Sequence, residues 1–404
     1  MSEFNVSVIV SAYNEEKYIE RCLNSLVAQT LGHKLEIIVM DDGSTDNTLS
    51  ICHHYASKYS NICVYHQENQ GQGPAREHAI ALAHGEYIGF CDADDYAETN
   101  MFSILYEFAK KNNDDIVVCD VHKIFKEEGY EENVRSLDQS SGSISIGEYI
   151  RKGLSNAYLH NKIFKREIWN HYHFKNMVYE DLDIVLTIIS YAKRVGYVQE
   201  PLYNYYKHAN TTTSSYTNPR LFDIFKAYKD IPKNINPQYL SEAVYQIAVR
   251  ILRNMNTPGF LYYCADFIEL IHTLKSYFNN NHYITEDEEV SQILYYLNIN
   301  TIPNNLYSQV PLSDIWTTMG NHPTIFYEQD KSVLLKQLYK QGGLLINGPI
   351  ELKSPYDALR TSEALYKDGE YSILSVYPHS PVVYKMMHDQ SFNLPIKSLK
   401  QYIK

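Results

Sequence analysis

Val6-Ser7-Val8-Ile9-Val10 is a short β-branched run that stops at the polar corner Ser11-Ala12-Tyr13-Asn14. Such a run reads as a buried parallel strand. Asn14 is predicted to cap a helix whose positive end Glu15 and Glu16 favour, and whose stripe is Ile19, Cys22, Leu23, Leu26 and Val27. The unit then repeats. Glu36–Met40 is a strand, Asp41-Asp42-Gly43-Ser44 a turn, and Leu49, Cys52, Ala56 and Tyr59 share a helix face. A third strand lies near Ile62–His66, Pro74–His84 is a helix with Pro at its start and Gly85 closing it, and Tyr87–Cys91 is a fourth strand. The alternation predicts an α/β domain with a mostly parallel sheet. Ligands then bind beyond the carboxyl ends of the strands, where Asn14, Asp41 and Asp92 fall.

Further along, a helix over 101–112 and a strand Ile116–Asp120 continue the pattern. Residues 126–145 are polar, with Glu127, Glu128, Glu131 and Glu132 and then Ser140-Ser141-Gly142-Ser143, and read as a surface excursion or flexible loop. Periodicity resumes at Ile146–Leu154. Glu180-Asp181 starts a helix with Leu182, Val185, Leu186 and Ile189 as its stripe, and Val195–Val198 is another strand. Beyond about Tyr216 the style turns to Tyr- and Asn-rich helical segments, dividing the chain into 1–215 and a mainly helical 216–404. The second part carries no catalytic constellation. It could shape an acceptor site, mediate homo-oligomer formation or dock a partner.

The composition removes whole classes. The 404 residues are 44% apolar and 21% charged with 17 Gly and 14 Pro, which excludes collagen-like and wholly disordered chains. A formal charge of −12 without a basic stripe argues against nucleic acid. There is no uninterrupted apolar run of membrane-spanning length and no basic start with a small-residue cleavage site, so neither a transmembrane segment nor a signal peptide is expected. Six cysteines without CxxC spacing read as buried thiols in a reducing compartment. The expected location is the cytoplasm, with peripheral attachment to the inner membrane face left open. Tyrosine is abundant, 37 residues against 14 Phe and 2 Trp, and suits both half-buried packing and sugar contacts.

Two stretches carry chemistry. In Asp92-Ala93-Asp94-Asp95, an extended backbone would point Asp92 and Asp94 to one side, where they could share a hard divalent cation. The alternative is an acidic turn capping the next helix. Asn69-Gln70-Gly71-Gln72-Gly73-Pro74-Ala75-Arg76 is a glycine turn opening a helix, which offers an anion backbone donors, a helix dipole and a guanidinium. It is not the dinucleotide fingerprint, because Arg76 takes the third glycine position, and no Walker loop occurs.

Taken in order, Val8–Glu15, Val39–Asp46, Asn69–Arg76 and Phe90–Asp95 resemble the signatures of family 2 glycosyltransferases with the GT-A fold. Asn161-Lys162-Ile163-Phe164-Lys165-Arg166, Glu180-Asp181 and Tyr203-Asn204-Tyr205-Tyr206-Lys207-His208 resemble the family's later motifs, so the likeness spans roughly 5–215. It departs in Ser11-Ala12, where a Pro is usual, and lacks the Gln-x-x-Arg-Trp motif of processive synthases. The resemblance implies a UDP-sugar donor and a glycan, glycoprotein or lipid-linked acceptor, with a donor half over 1–120 and an acceptor half over 121–215. By the same resemblance Asp41 and Asp42 would meet the uracil side, Ala12, Tyr13 and Glu15 would line base and ribose, and Gly71 and Arg76 would lie along the nucleotide. Asp92 and Ala93 would sit near ribose and metal, Asp94 with Asp92 would hold Mn²⁺ or Mg²⁺, and His208 would be a third ligand. Lys162 would lie near the donor sugar or acceptor; otherwise it belongs to a solvated basic cluster. Neither His53-His54 nor His171-x-His173 has a carboxylate partner at metal spacing.

Sugar transfer from a diphosphate needs the leaving charge neutralised and a base for the acceptor proton. Asp181 resembles the family's base and Glu180 its neighbour, although both would also suit a helix start. The expected reaction moves one hexose, glucose or galactose first among them, by direct displacement with inversion, in surface polysaccharide or adhesin glycosylation. A nucleotidyltransferase and a non-catalytic nucleotide-sugar binding module are the alternatives.

Overall fold

The computed structural model describes residues 3–127, 129–153, 157–208, 223–255, 270–297 and four short strands beyond. One compact unit comprises residues 1–211 and 226–246; the other comprises 212–225 and 247–404. The expected division near residue 216 lies outside the described residues.

In the first unit, β1 (Val6–Ala12), β2 (Leu35–Asp41), β3 (Ile62–His66) and β4 (Tyr87–Phe90) form a parallel block in the order β3-β2-β1-β4. Every residue of β1 and β2 is buried, as expected of strands covered on both faces. Helices α1 (Ile19–Val27), α2 (Thr48–Lys58) and α3 (Gln72–Ala81) connect them. After the two-residue β5 (Tyr96–Ala97) and α4 (Met101–Asn112) come β6 (Ile116–Phe125), β7 (Tyr130–Val134), β8 (Gly142–Ile144) and α5 (Ile146–Lys152). Then follow β9 (Lys162–Lys165), α6 (Glu180–Tyr191) and β10 (Val195–Lys207). The sheet continues β4-β9-β6-β10-β5, with β9 antiparallel between β4 and β6 and with β6 parallel to β10. β9 therefore joins the two halves.

Four local expectations are corrected. Asn14 caps no helix: its φ is +57°, its side chain accepts from Thr45, and α1 starts only at Ile19. The third helix starts two residues before Pro74 and ends at Ala81. Residues 126–145 are not merely a loop, because β7 pairs with β6 and β8 with β10. The strands expected to end at Asp120 and Val198 run on to Phe125 and Lys207 by pairing with each other.

Helices α7 (Asp223–Asn234) and α8 (Leu240–Met255) follow, then short helices at Lys275–Phe278, His282–Glu286 and Gln292–Tyr296. The last strands, β11 (Thr324–Tyr327), β12 (Leu344–Ile346), β13 (Ser372–Ser375) and β14 (Lys397–Ser398), make a small parallel sheet that the helical expectation does not anticipate. Among the described residues no helix is long and apolar enough to cross a membrane. The five described cysteines are free thiols.

Candidate active site

The carboxyl ends of β1, β2 and β4 place Ala12, Asp41 and the Asp92–Asp95 turn along one edge. Ala12 is buried, whereas the next residue, Tyr13, is 47% exposed and offers an aromatic ring at the rim. Asp41 is wholly buried. Its Oδ2 meets His66 Nδ1 at 2.7 Å and accepts from the Ser44 N–H at 3.2 Å, while Oδ1 has no partner among the described residues. A buried acceptor left open in this way is free to take a donor from water or a ligand.

Asp42 ties neighbouring segments together. Its Oδ1 accepts from Gln67 Nε2 and the Gln70 N–H, and its Oδ2 from the Gly71 N–H at 2.8 Å, which ties the glycine turn to β2. Gly71 holds φ +95°, and a Cβ at Gly73 would stand 2.5 Å from the Lys175 carbonyl oxygen. Both positions therefore require glycine.

Arg76, 5% exposed on α3, spans the site. Nη2 donates to Asp92 Oδ1 at 2.6 Å and Nη1 donates to Glu180 Oε1 at the start of α6. The guanidinium expected to lie along a nucleotide is thus paired with two carboxylates. Its fork geometry suits that task.

The Asp92–Asp95 segment is a turn, not the extended backbone the residue order suggested: the Asp95 N–H donates to the Asp92 carbonyl at 3.0 Å. Each acid consequently has its own surroundings. Burial works against Asp92's charge, yet Arg76 and then His160 hold its carboxyl below the usual range. Burial and then the charge of Asp92 raise Asp94, whose Oδ2 lies 3.2 Å from His208 Nε2. Asp95 is raised further by burial and by both neighbours, and accepts from the Tyr203 hydroxyl and the Tyr206 N–H. Glu15, half-buried opposite them, is pushed up to about 8 by burial and then by Asp94, Asp46 and Asp92.

At the start of α6, burial raises Glu180 to about 7 against the pull of Arg76, with Asp181 adding to the rise. Asp181 is raised by burial too, and its Oδ1 accepts from the Leu182 N–H at 2.7 Å. Lys162 sits in no solvated cluster. Fully buried at the first position of β9, its Nζ donates to the Tyr158 carbonyl at 2.5 Å and to Asn161 Oδ1 at 2.7 Å, holding the segment before it.

That segment contains His160, which sequence reasoning missed. Its ring stacks on Tyr203 at 4.2 Å and Tyr158 at 4.9 Å, and its Nδ1 lies 3.5 Å from Asp92 Oδ2. Asp92, Asp95 and His160 place ligand-type atoms within 4.8 Å of one another. Arg21 was missed as well: it donates to the Asp94 carbonyl at 2.6 Å while its guanidinium lies 3.9 Å from the Tyr206 ring centroid. Only the adjacency of Asp95 to Asp94, and of His160 to the Asn161-Lys162 pair, hinted at either cluster. His53 and His54 stay exposed on α2, away from any acid cluster among the described residues.

Raised carboxylates imply a definite pH dependence. Between its ordinary value of 4.5 and about 8, Glu15 keeps in the fold a proton that the unfolded chain releases, so stability must decline as pH rises through that window. The melting temperature in chelator is expected to fall from pH 6 to pH 8, and less steeply in Glu15→Gln. A melting temperature that climbs over the same range contradicts this account of the acid cluster.

The family model described as glycosyl transferase family 2 matches residues 7–172. The chain is 30% identical to the glycosyltransferase GlyG of Streptococcus pneumoniae over 222 residues, 52% of this chain and 73% of that protein. It is 30% identical to the cholesterol galactosyltransferase of Borreliella burgdorferi over 226 residues, 53% of this chain and 63% of that one. Several curated relatives are matched over only about 63% of their length. A solved structure of Staphylococcus aureus TarS 1–349 in complex with UDP-GlcNAc superposes with a TM-score of 0.56 at 21% identity, covering 72% of this chain and 84% of that one. That likeness shows the shared GT-A fold. Since the family model covers the strand-end acids and the GlyG match runs through most of that protein, the chain belongs to glycosyl transferase family 2.

Proposed function

We propose that the chain transfers a single hexose from a UDP-sugar to an acceptor hydroxyl with inversion at the anomeric carbon. The observation that carries this reading is the Arg76 bridge, which joins Asp92 to Glu180 and supports a diphosphate beside the Asp92 turn and an acceptor beside Glu180-Asp181. Relatives named for galactosyl and glucosyl transfer favour a hexose. The orphaned Oδ1 of Asp41 suits the N–H of a uracil, and the exposed ring of Tyr13 can cover the base.

Carboxylate oxygen and imidazole nitrogen at 3.2 Å make Asp94 and His208 a donor pair suited to Mn²⁺ or Mg²⁺. When bound, such a cation would neutralise charge on the diphosphate as a Lewis acid. The chain's own groups do the rest. Asp181 takes the proton of the acceptor hydroxyl as its oxygen attacks the anomeric carbon from the face opposite the diphosphate. One C–O bond forms while the bond to the diphosphate breaks, its electron pair leaving with UDP. Arg76 keeps Asp92 ionised and holds Glu180 against α3, so that Asp181 stays fixed beside the reacting centre.

Incubation with UDP-glucose or UDP-galactose and Mn²⁺ tests the reading: metal-dependent release of UDP supports it. Pyrophosphate release would indicate nucleotidyl transfer, and binding without turnover a non-catalytic module. Asp94→Ala is expected to weaken UDP binding in Mn²⁺ by at least about tenfold, an isothermal titration measurement, and to leave the weaker metal-free binding unchanged. Equal Mn²⁺-dependent affinity in variant and wild type would remove Asp94 from the site.

A further inference from the structure

The extensions of β6 and β10 form a ribbon that runs beside the acid cluster: the Tyr206 N–H donates to Asp95 Oδ1, and His208, just past β10, lies 3.2 Å from Asp94 Oδ2. In register, Lys123 stands beside Tyr205 and Phe125 beside Lys207, and β7 sets Tyr130 across from Phe125. Since alternate residues share a face, Tyr203, Tyr205, Lys207, Lys123, Phe125, Tyr130 and Glu132 lie on one side, Tyr203 buried and the others partly or largely exposed. The rings fall into two groups along it. His160, beside Asp92, stacks on Tyr203 and lies 5.8 Å from Tyr205. Tyr158 stacks on His160, and Lys123 Nζ lies 5.8 Å over Tyr158. Lys207 Nζ lies 5.4 Å over Phe125, whose ring is stacked on Tyr130 at 4.3 Å and 14°. Tyr130, at the outer end, is 49% exposed.

We infer that this face is an acceptor subsite for a neutral oligosaccharide of several sugars. The inference rests on the glycosyltransferase reading of the adjoining site. Sugar rings present apolar C–H faces that settle on aromatic planes and edge hydroxyls that accept from ammonium groups, and the face supplies both. The partly exposed stretch from Tyr205 to Lys207 spans about 7 Å of strand, and Tyr130 extends it across the hairpin. The open part of the face starts at Tyr205, 5.8 Å from the buried His160 beside Asp92, so an acceptor sugar at the reacting centre would have its following units on the ribbon. Charge decides the class of glycan. Glu132 stands across from Lys123 in register, and Glu131 and Glu127 flank the hairpin, so the lysines are offset and a polyanionic chain gains nothing here.

The test is titration calorimetry on the full chain with UDP and Mn²⁺, using cellotetraose, maltotetraose and chitotetraose against glucose and N-acetylglucosamine. At least one tetrasaccharide is expected to bind at least about tenfold more tightly than its monosaccharide. Tyr130→Ala, at an exposed position, should reduce that gain about threefold, and the Phe125→Ala/Tyr130→Ala pair should remove it with UDP affinity unchanged. A gain that is absent, that survives the double variant, or that appears only with a glycerol-phosphate oligomer overturns the assignment. The two readings fail separately: UDP that does not bind in Mn²⁺ defeats the donor site, and tetrasaccharides without a gain defeat the ribbon.

Discussion

Asp181→Asn should retain UDP binding and lose about 10²- to 10⁴-fold in turnover, the range expected when a positioned base is removed. The amide matches the carboxylate in shape and can still accept from the Leu182 N–H at the start of α6, so the fold has no reason to change. What disappears is the capacity to take a proton. Burial raises this carboxyl, with Arg76 pulling the other way. The wild-type rate should therefore fall with acid through an inflection above the ordinary carboxylate range, because the base must be unprotonated to act. Steady-state UDP release in both proteins measures the effect. Turnover in Asp181→Asn within about threefold of wild type would assign the base elsewhere.

Arg76→Met is expected to cost about 3–5 kcal/mol in urea unfolding, because it strips the partner from two carboxylates at once. Arg76 is 5% exposed and both of its acids are largely covered, so water cannot replace it readily. Methionine fills much the same volume, which isolates the electrostatic loss from a cavity. Arg76→Lys should recover only part of the loss, since a single ammonium cannot reach Asp92 and Glu180 with the guanidinium's fork. A loss below about 1 kcal/mol would mean that the bridge contributes little to holding the two halves of the site.

The architecture was legible where structure and chemistry share the same residues. β1, β2 and β4 each end in the acids or corner residues that line the site, so apolar runs stopping at Ala12, Asp41 and Asp92 disclosed both strand and edge. Pairing between distant segments was less visible. His122–Phe125 and Tyr203–Lys207 are too polar to announce strands alone, and become strands because each is the other's neighbour. The Asp92 turn misled for a related reason, since residue order gave the acids but not the Asp95-to-Asp92 hydrogen bond that separates them. The solvated alternative for Lys162 fails because the Tyr158 carbonyl and Asn161 satisfy it in the core, against the usual exposure of lysine. His160 carried no signal beyond its place beside Asn161, and its importance arises from stacking on Tyr203, 43 residues later in the chain.

Crystals grown with UDP and Mn²⁺, with anomalous scattering recorded at the manganese edge, would give the most direct answer. A single peak at about 2.1–2.3 Å from both the Asp94 carboxylate and His208 Nε2, with uracil facing Asp41, is the predicted outcome. Manganese or UDP bound away from these residues would contradict the placement of the glycosyl-transfer centre at this edge of the sheet.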